Sequence, residues 1–198
     1  MKIAGIIIAG GRSTRMGGVE KVLLEVGGKR ILDRLIGRMA PQVHQLAINA
    51  NGDGARFKST GLTVISDLPG GAATPLAGLH AGLHWANLNG YEALVALPSD
   101  APFLPYDLVT KLVSVKQKAA IAASGGQDHY LTGLWSLSLL RSLDDAIKSN
   151  GMLRVKDWAG HVGAVAIEWP VHPFDPFFNI NTPEDLAEAQ AIAAEFNP

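Results

Sequence analysis

Cysteine is absent from this chain. That excludes disulfides, thiolate zinc sites and a cysteine nucleophile, and it accords with a reducing compartment. Excess charge of one sign is lacking too. Seventeen Lys and Arg against 18 Asp and Glu leave a net charge of −1, so no global field draws DNA or RNA and any anion site has to be local. No segment holds 18 consecutive apolar residues, so no membrane span is expected. The six histidines show no H-E-x-x-H spacing, and no Ser/His/Asp arrangement is legible. Repeats, linkers and low-complexity tracts are missing as well. What is there is 198 residues, 47% apolar and 18% charged, the composition of one globular domain with a sizeable core.

The most informative stretch is Lys2 to Lys21. A near-continuous apolar run, Ile3 to Ala9, breaks into Gly10-Gly11, then Arg12-Ser13-Thr14-Arg15, then Gly17-Gly18, then Lys21. A short apolar run bounded by glycines reads as a strand buried on both faces, as in a parallel sheet. The run is short for a signal peptide, and Arg12 and Arg15 follow the small residues at Ala9-Gly10, so a buried first strand is the better reading. A glycine-rich basic loop after such a strand suits polyphosphate: backbone N–H groups approach closely, and Arg and Lys neutralise charge. A tight turn with solvated basic side chains is the plainer alternative. Neither the P-loop nor the G-x-G-x-x-G spacing is met.

Further along, Gln45–Ala50, Leu62–Ile65, Ala93–Leu97, Ala119–Ala123, Leu131–Trp135 and Val162–Ile167 read as strands, and Val22–Val26 as a short extended piece. Helical spacing recurs in Ile31–Met39, after Pro75, after Pro105, in Leu137–Ile147 and in Met152–Ala159. Thr182-Pro183-Glu184-Asp185 has the form of a helix start: N-cap, N1 proline, first-turn acids. The alternation predicts a single-domain α/β protein, residues 1–198, with a mostly parallel, doubly wound sheet and an antiparallel strand in its less regular second half. In such sheets ligands bind beyond the carboxyl ends of the strands. Four predicted strand ends carry polar residues: Gly10 to Arg15, Asn49, Asp67 and Asp100.

Each of these has two readings. Asp100 can hold Mg²⁺, or it can be a turn residue before Pro102. Asp67 and Asn49 can contact a nucleoside, or they serve turns. Ala77 and Gly78 can offer helix-start N–H groups, or allow close packing. Arg154 and Lys156 can meet a phosphate, or they are solvated surface. His80 and His84, one helical turn apart, can bind metal or simply pack.

Taken together these motifs resemble a known family. Ile8-Ala9-Gly10-Gly11-x-Ser13-x-Arg15-Met16-Gly17-x-x-x-Lys21 is similar to the signature loop of nucleotidyltransferases that transfer NMP to a phosphorylated acceptor, most of all the molybdenum cofactor guanylyltransferases. Pro98-x-Asp100-x-Pro102-Phe103-Leu104 resembles that family's metal-binding segment, and Pro75 to Leu79 and Phe178 to Asp185 match in order. Gly70 to Thr74 is longer than the family's loop. The resemblance implies a Rossmann-like nucleotidyltransferase fold with a nucleotide-binding N-terminal half and an acceptor-binding C-terminal half. It implies GMP transfer from GTP to molybdopterin carrying molybdenum, with Mg²⁺ on Asp100. Ile8, Ala9, Gly10, Gly11, Lys21, Asn49, Asp67 and Asp100 would bind the nucleotide, Arg15 and Lys21 would stabilise charge, and Arg154, Asn179 and Asn181 would face the acceptor. A cytoplasmic enzyme without nucleic acid or membrane partners is expected, handing its labile product to molybdoenzymes or their chaperones. CTP or a sugar phosphate as substrate, and a non-catalytic nucleotide-binding regulator, are the rival readings.

Overall fold

The structure is a computed structural model and describes residues 1–9, 21–70 and 72–196. Its strands are β1 (Ile3–Ile8), β2 (Glu25–Val26), β3 (Lys29–Arg30), β4 (Gln45–Asn49), β5 (Thr63–Ile65), β6 (Ala93–Pro98), β7 (Ala119–Ser124), β8 (Gln127–Ser136) and β9 (Val165–Trp169). Its helices are α1 (Ile31–Met39), α2 (Pro75–Leu88), α3 (Leu108–Ser114), α4 (Leu140–Lys148), α5 (Val155–His161) and α6 (Pro183–Phe196). Seven strands form one sheet in the order β5-β4-β1-β6-β8-β7-β9, and β2 and β3 pair separately. Strand β8 runs antiparallel to both its neighbours, and the other pairings in the sheet are parallel.

The expected apolar run became the central strand. All six residues of β1 are buried. Its alternation sends Ile3 and Ile7 to one face and Ala4, Ile6 and Ile8 to the other. The first face is covered by α1, α3 and α6, the second by α2, α4 and α5, so the sheet is doubly wound as the sequence pattern predicts. Burial of each such Ile or Leu contributes about 1.5–3 kcal/mol. Helix α1 presents Ile31, Leu32, Leu35 and Met39 to the first layer. Its buried Arg38 donates to the carbonyls of Leu104 (2.5 Å) and Phe103 (3.3 Å), pinning the segment just after Asp100.

Several boundaries differ from the sequence reading. Strand β8 begins at Gln127 rather than Leu131, because Gly125 and Gly126 (φ +55° and +78°) make a two-residue hairpin turn that needs positive φ at both positions. Strand β9 starts at Val165 and runs on to Trp169, since Gly163 still belongs to the turn after α5. The stretch read as extended, Val22–Val26, opens with a 3₁₀ turn at Lys21–Leu23. Helices α3 and α5 start later than their apolar spacing suggests, at Leu108 and Val155.

Candidate active site

Register places the candidate residues on one rim. The last rung of the parallel ladder reads Ile65–Asn49–Ile8–Pro98 across β5, β4, β1 and β6. Asp67 and Asp100 each stand two residues past that rung, and Ala9 one past. From β1 the chain proceeds to β4 on one side, and it later returns to β6 on the other side. The junction of β1 and β6 is therefore the topological switch point, where open α/β sheets bind ligands. Ala9 and Asp100 flank it. Gly10, Gly11 and Arg15 lie outside the described residues.

Lys21 enters this crevice from the 3₁₀ turn. Its Nζ lies 2.5 Å from Asn181 Oδ1, to which it donates, and 3.6 Å from Asp100 Oδ2. Burial pushes the Asp100 carboxyl above the usual carboxylate range, and the Lys21 ammonium offsets part of that rise. The C-terminal segment is tied to the same place by the Ile180 N–H, which donates to the Asp100 carbonyl at 2.9 Å. Asn181 is fixed in turn by the start of α6. Asp185 Oδ2 accepts the N–H groups of Asn181 (2.7 Å) and Thr182 (2.9 Å), and Thr182 Oγ1 accepts the Asp185 N–H at 3.2 Å. This reciprocal pair is a capping box with Asp in the acid position. Those backbone bonds hold the Asp185 carboxyl below the ordinary range. Asn179, on the other side of Ile180, has a buried Oδ1 with no hydrogen-bond partner.

Asn49 and Asp67 also meet. The Asn49 amide donates to the Ile65 carbonyl (3.1 Å) and to Asp67 Oδ1 (2.9 Å), while Asn51 donates to Asp67 Oδ2 (2.7 Å) and accepts the Asp67 N–H (3.0 Å). Both amide hydrogens of buried Asn49 are thus committed within the protein, one of them to the Asp67 carboxylate. Ile8 is buried, and the Ala9 N–H donates to the Asn49 carbonyl at 2.8 Å, so neither offers a free backbone donor. Gly78 is a packing residue. A Cβ there would lie 2.3 Å from Asn49 Oδ1 and 2.9 Å from Ile8 Cγ2, so α2 reaches the sheet only because that carbon is absent.

The geometry leaves Arg154 apart. It is exposed and ion-paired with Asp157 at 2.8 Å, and among the described residues no hydrogen bond or ion pair joins it to Lys21, Asp100 or Asn181. Conversely, the rim holds a trio without a sequence signal. Ser124, at the end of β7, donates to Asp175 Oδ1 (2.8 Å) and faces His129 Nε2 (2.7 Å). The serine's single proton goes to the carboxylate and not to the imidazole, so this is no nucleophile–base pair. Fifty-one residues separate Ser124 from Asp175, and only the β7–β8 hairpin and the segment after β9 bring them together.

A mostly parallel sheet with a lysine–carboxylate pair at its switch point defines the class: an open, doubly wound α/β protein. The chain belongs to the MobA-like NTP transferase family, whose model matches residues 5–162, and it is a nucleotidyltransferase. A molybdenum cofactor guanylyltransferase of Rhodopseudomonas palustris (strain BisB5) is 46% identical over 194 residues, covering 95% of this chain and 92% of that one. Among solved structures, molybdopterin-guanine dinucleotide biosynthesis protein A of Archaeoglobus fulgidus superposes with a TM-score of 0.73 at 24% identity, covering 99% of this chain and 100% of that one. Rv0371c of Mycobacterium tuberculosis, solved as a complex with manganese, shares the fold at a TM-score of 0.69 and 16% identity, covering 96% of this chain and 99% of that one. Among the described residues no helix is long and apolar enough to cross a membrane.

Proposed function

We propose that this chain transfers GMP from GTP to the terminal phosphate of molybdopterin carrying molybdenum. An oxygen of the acceptor phosphate attacks the α-phosphorus of GTP. The bond from that phosphorus to the bridging oxygen breaks, and pyrophosphate leaves with the electron pair. The product is the guanine dinucleotide form of the cofactor. The acceptor is already ionised at neutral pH, so no strong base is needed, and the protein's work is alignment and charge neutralisation.

The observation that carries this reading is the convergence of Lys21, Asp100 and Asn181 at the switch point from three distant parts of the chain. Lys21 supplies positive charge for the triphosphate, together with Arg15 and the Gly10-Gly11 backbone of the loop after β1. Asp67, acceptor-only when ionised, suits the donor groups of a nucleoside; the guanine edge offers N1–H and N2–H₂ side by side. Ile8, Ala9 and Asn49 set the position of that carboxylate and of the loop. Asn179 and Asn181 face the acceptor in the C-terminal half, with Arg154 the more distant candidate.

Mg²⁺ fits the donors present. Asp100 offers a carboxylate and Asn179 an oxygen lacking a hydrogen-bond partner, the hard oxygen ligands that this cation prefers. When bound, it would neutralise charge on the phosphates. The reaction belongs in the cytoplasm, with GTP and molybdopterin as small-molecule substrates.

The test is pyrophosphate release with Mg²⁺ and molybdenum-loaded molybdopterin, comparing GTP with CTP. Release with GTP alone is the expected result. Release with CTP alone would overturn the base assignment, and GTP binding without release would favour a regulator. Lys21→Ala is expected to lower turnover by about 10²–10³, the usual loss when one preorganised charge-stabilising group is removed.

A further inference from the structure

Away from the rim, three side chains aim at one point. His80 and His84 stand one turn apart on α2, and Asp144 reaches across from α4. Asp144 Oδ1 lies 2.7 Å from His80 Nε2 and 2.9 Å from His84 Nε2, and the two ring nitrogens are 3.2 Å apart. The i, i+4 spacing puts both rings on one helix face, and packing of α2 on α4 delivers the carboxylate. Lys148 Nζ approaches the same oxygen at 3.6 Å. As a hydrogen-bonded cluster this requires both rings to carry their proton on Nε2 and to crowd both protons onto one oxygen. As a ligand set it requires nothing unusual. A point about 2.0–2.1 Å from all three atoms, the ordinary zinc–nitrogen and zinc–oxygen distance, exists about 1 Å out of their plane.

We propose that His80, His84 and Asp144 form a three-ligand site for a divalent transition-metal cation of the zinc class, open on one side. The open side has room. A cavity of about 500 Å³ is lined by these three residues and by Leu68, Pro69, Met152 and Leu153. Two imidazoles and one carboxylate with a free position is a donor set that selects zinc-like ions over Mg²⁺, which takes oxygen. Lys148 is exposed on a flexible stem and can turn away. A cation here ties α2 to α4, in a cavity that Leu68 and Pro69 also line. The proposal stands independently of the nucleotidyl-transfer reading.

The full chain, stripped with EDTA, is dialysed against Zn²⁺ and analysed for bound metal, and Co²⁺ binding is followed by visible absorption. One Zn²⁺ per chain is expected, and affinity is expected to fall about 100-fold or more in His84→Ala and Asp144→Asn, at least the loss seen when a mere supporting group is removed. Asp100→Ala is expected to keep the ion, which separates this site from the crevice. His84→Gln, which retains a donor for Asp144, guards against misfolding: Zn²⁺ is expected to raise the melting temperature of the parent chain and to leave that of His84→Gln unchanged. Equal Zn²⁺ affinity in parent and His84→Ala, or loss of the ion only in Asp100→Ala, would overturn the proposal.

Discussion

Asp100 is held in a state that folding alone does not favour. Burial raises its pKa despite Lys21, so the folded chain binds a proton there more readily than the unfolded chain does. Stability from this residue is therefore present at low pH and is lost as pH rises above the ordinary carboxylate value through the raised one. At neutral pH the charge has a cost. Asp100→Asn is expected to melt at or above the temperature of the parent protein at pH 7, with the difference shrinking as pH falls toward 4, while pyrophosphate release drops by about 10²–10³. Lower stability of Asp100→Asn at pH 7 would show that the carboxylate is held for the fold and not for a ligand. Gly78 works in the opposite sense. Gly78→Ala drives a methyl group against Asn49 Oδ1 and Ile8, and a destabilisation of about 1–3 kcal/mol is expected by denaturant melting. Because Asn49 holds Asp67, the KM for GTP is expected to rise with it.

Elements transmit these side chains to the crevice. Helix α6 is a case in which a cap does two jobs. Its box satisfies the Asp185 N–H of the first turn and also fixes the Asn181 backbone, which in turn presents the oxygen that Lys21 uses. Thr182→Ala is expected to cost about 1 kcal/mol, a fall of roughly 2–4 °C in melting temperature. If α6 positions Asn181 for function, the same change raises the KM for the acceptor while leaving that for GTP unaltered; equal effects on both would assign the cap to stability alone. Its form was readable in four consecutive residues, because capping is chemistry between near neighbours. The beginnings of α3 and α5 were not. The first expected turn of α3 holds Pro105 to Asp107 and that of α5 holds Met152 to Arg154, and apolar spacing does not record where a chain stops turning before it starts to helix.

Across the whole molecule, ligand binding and stability are linked. A nucleotide that binds only the folded state at a hundred times its Kd contributes about 2.7 kcal/mol, or about 5–10 °C for a chain of this size. GTP with Mg²⁺ is expected to produce that shift in a thermal melt, CTP much less, and Asp100→Asn is expected to blunt the response to Mg²⁺. A shift of equal size with both nucleotides would sink the assignment of guanine recognition to this crevice.

Sequence by itself determined the parts whose physics is local or periodic. The apolar run of β1, the doubly wound alternation, the polar residues at the ends of β4, β5 and β6, and the cap of α6 follow from propensity, period and neighbouring groups. Tertiary structure alone decided the pairings between distant groups. That Lys21 meets Asn181, 160 residues away, and lies against Asp100 depends on strand order and on the last rung that aligns Ile65, Asn49, Ile8 and Pro98. That His80 and His84 find Asp144, that Ser124 gives its proton to Asp175, and that Asn49 spends its amide on Asp67 depend on packing between elements. Contacts of this kind arise from the closure of long loops around a common core, and no short-range pattern of residue types encodes them.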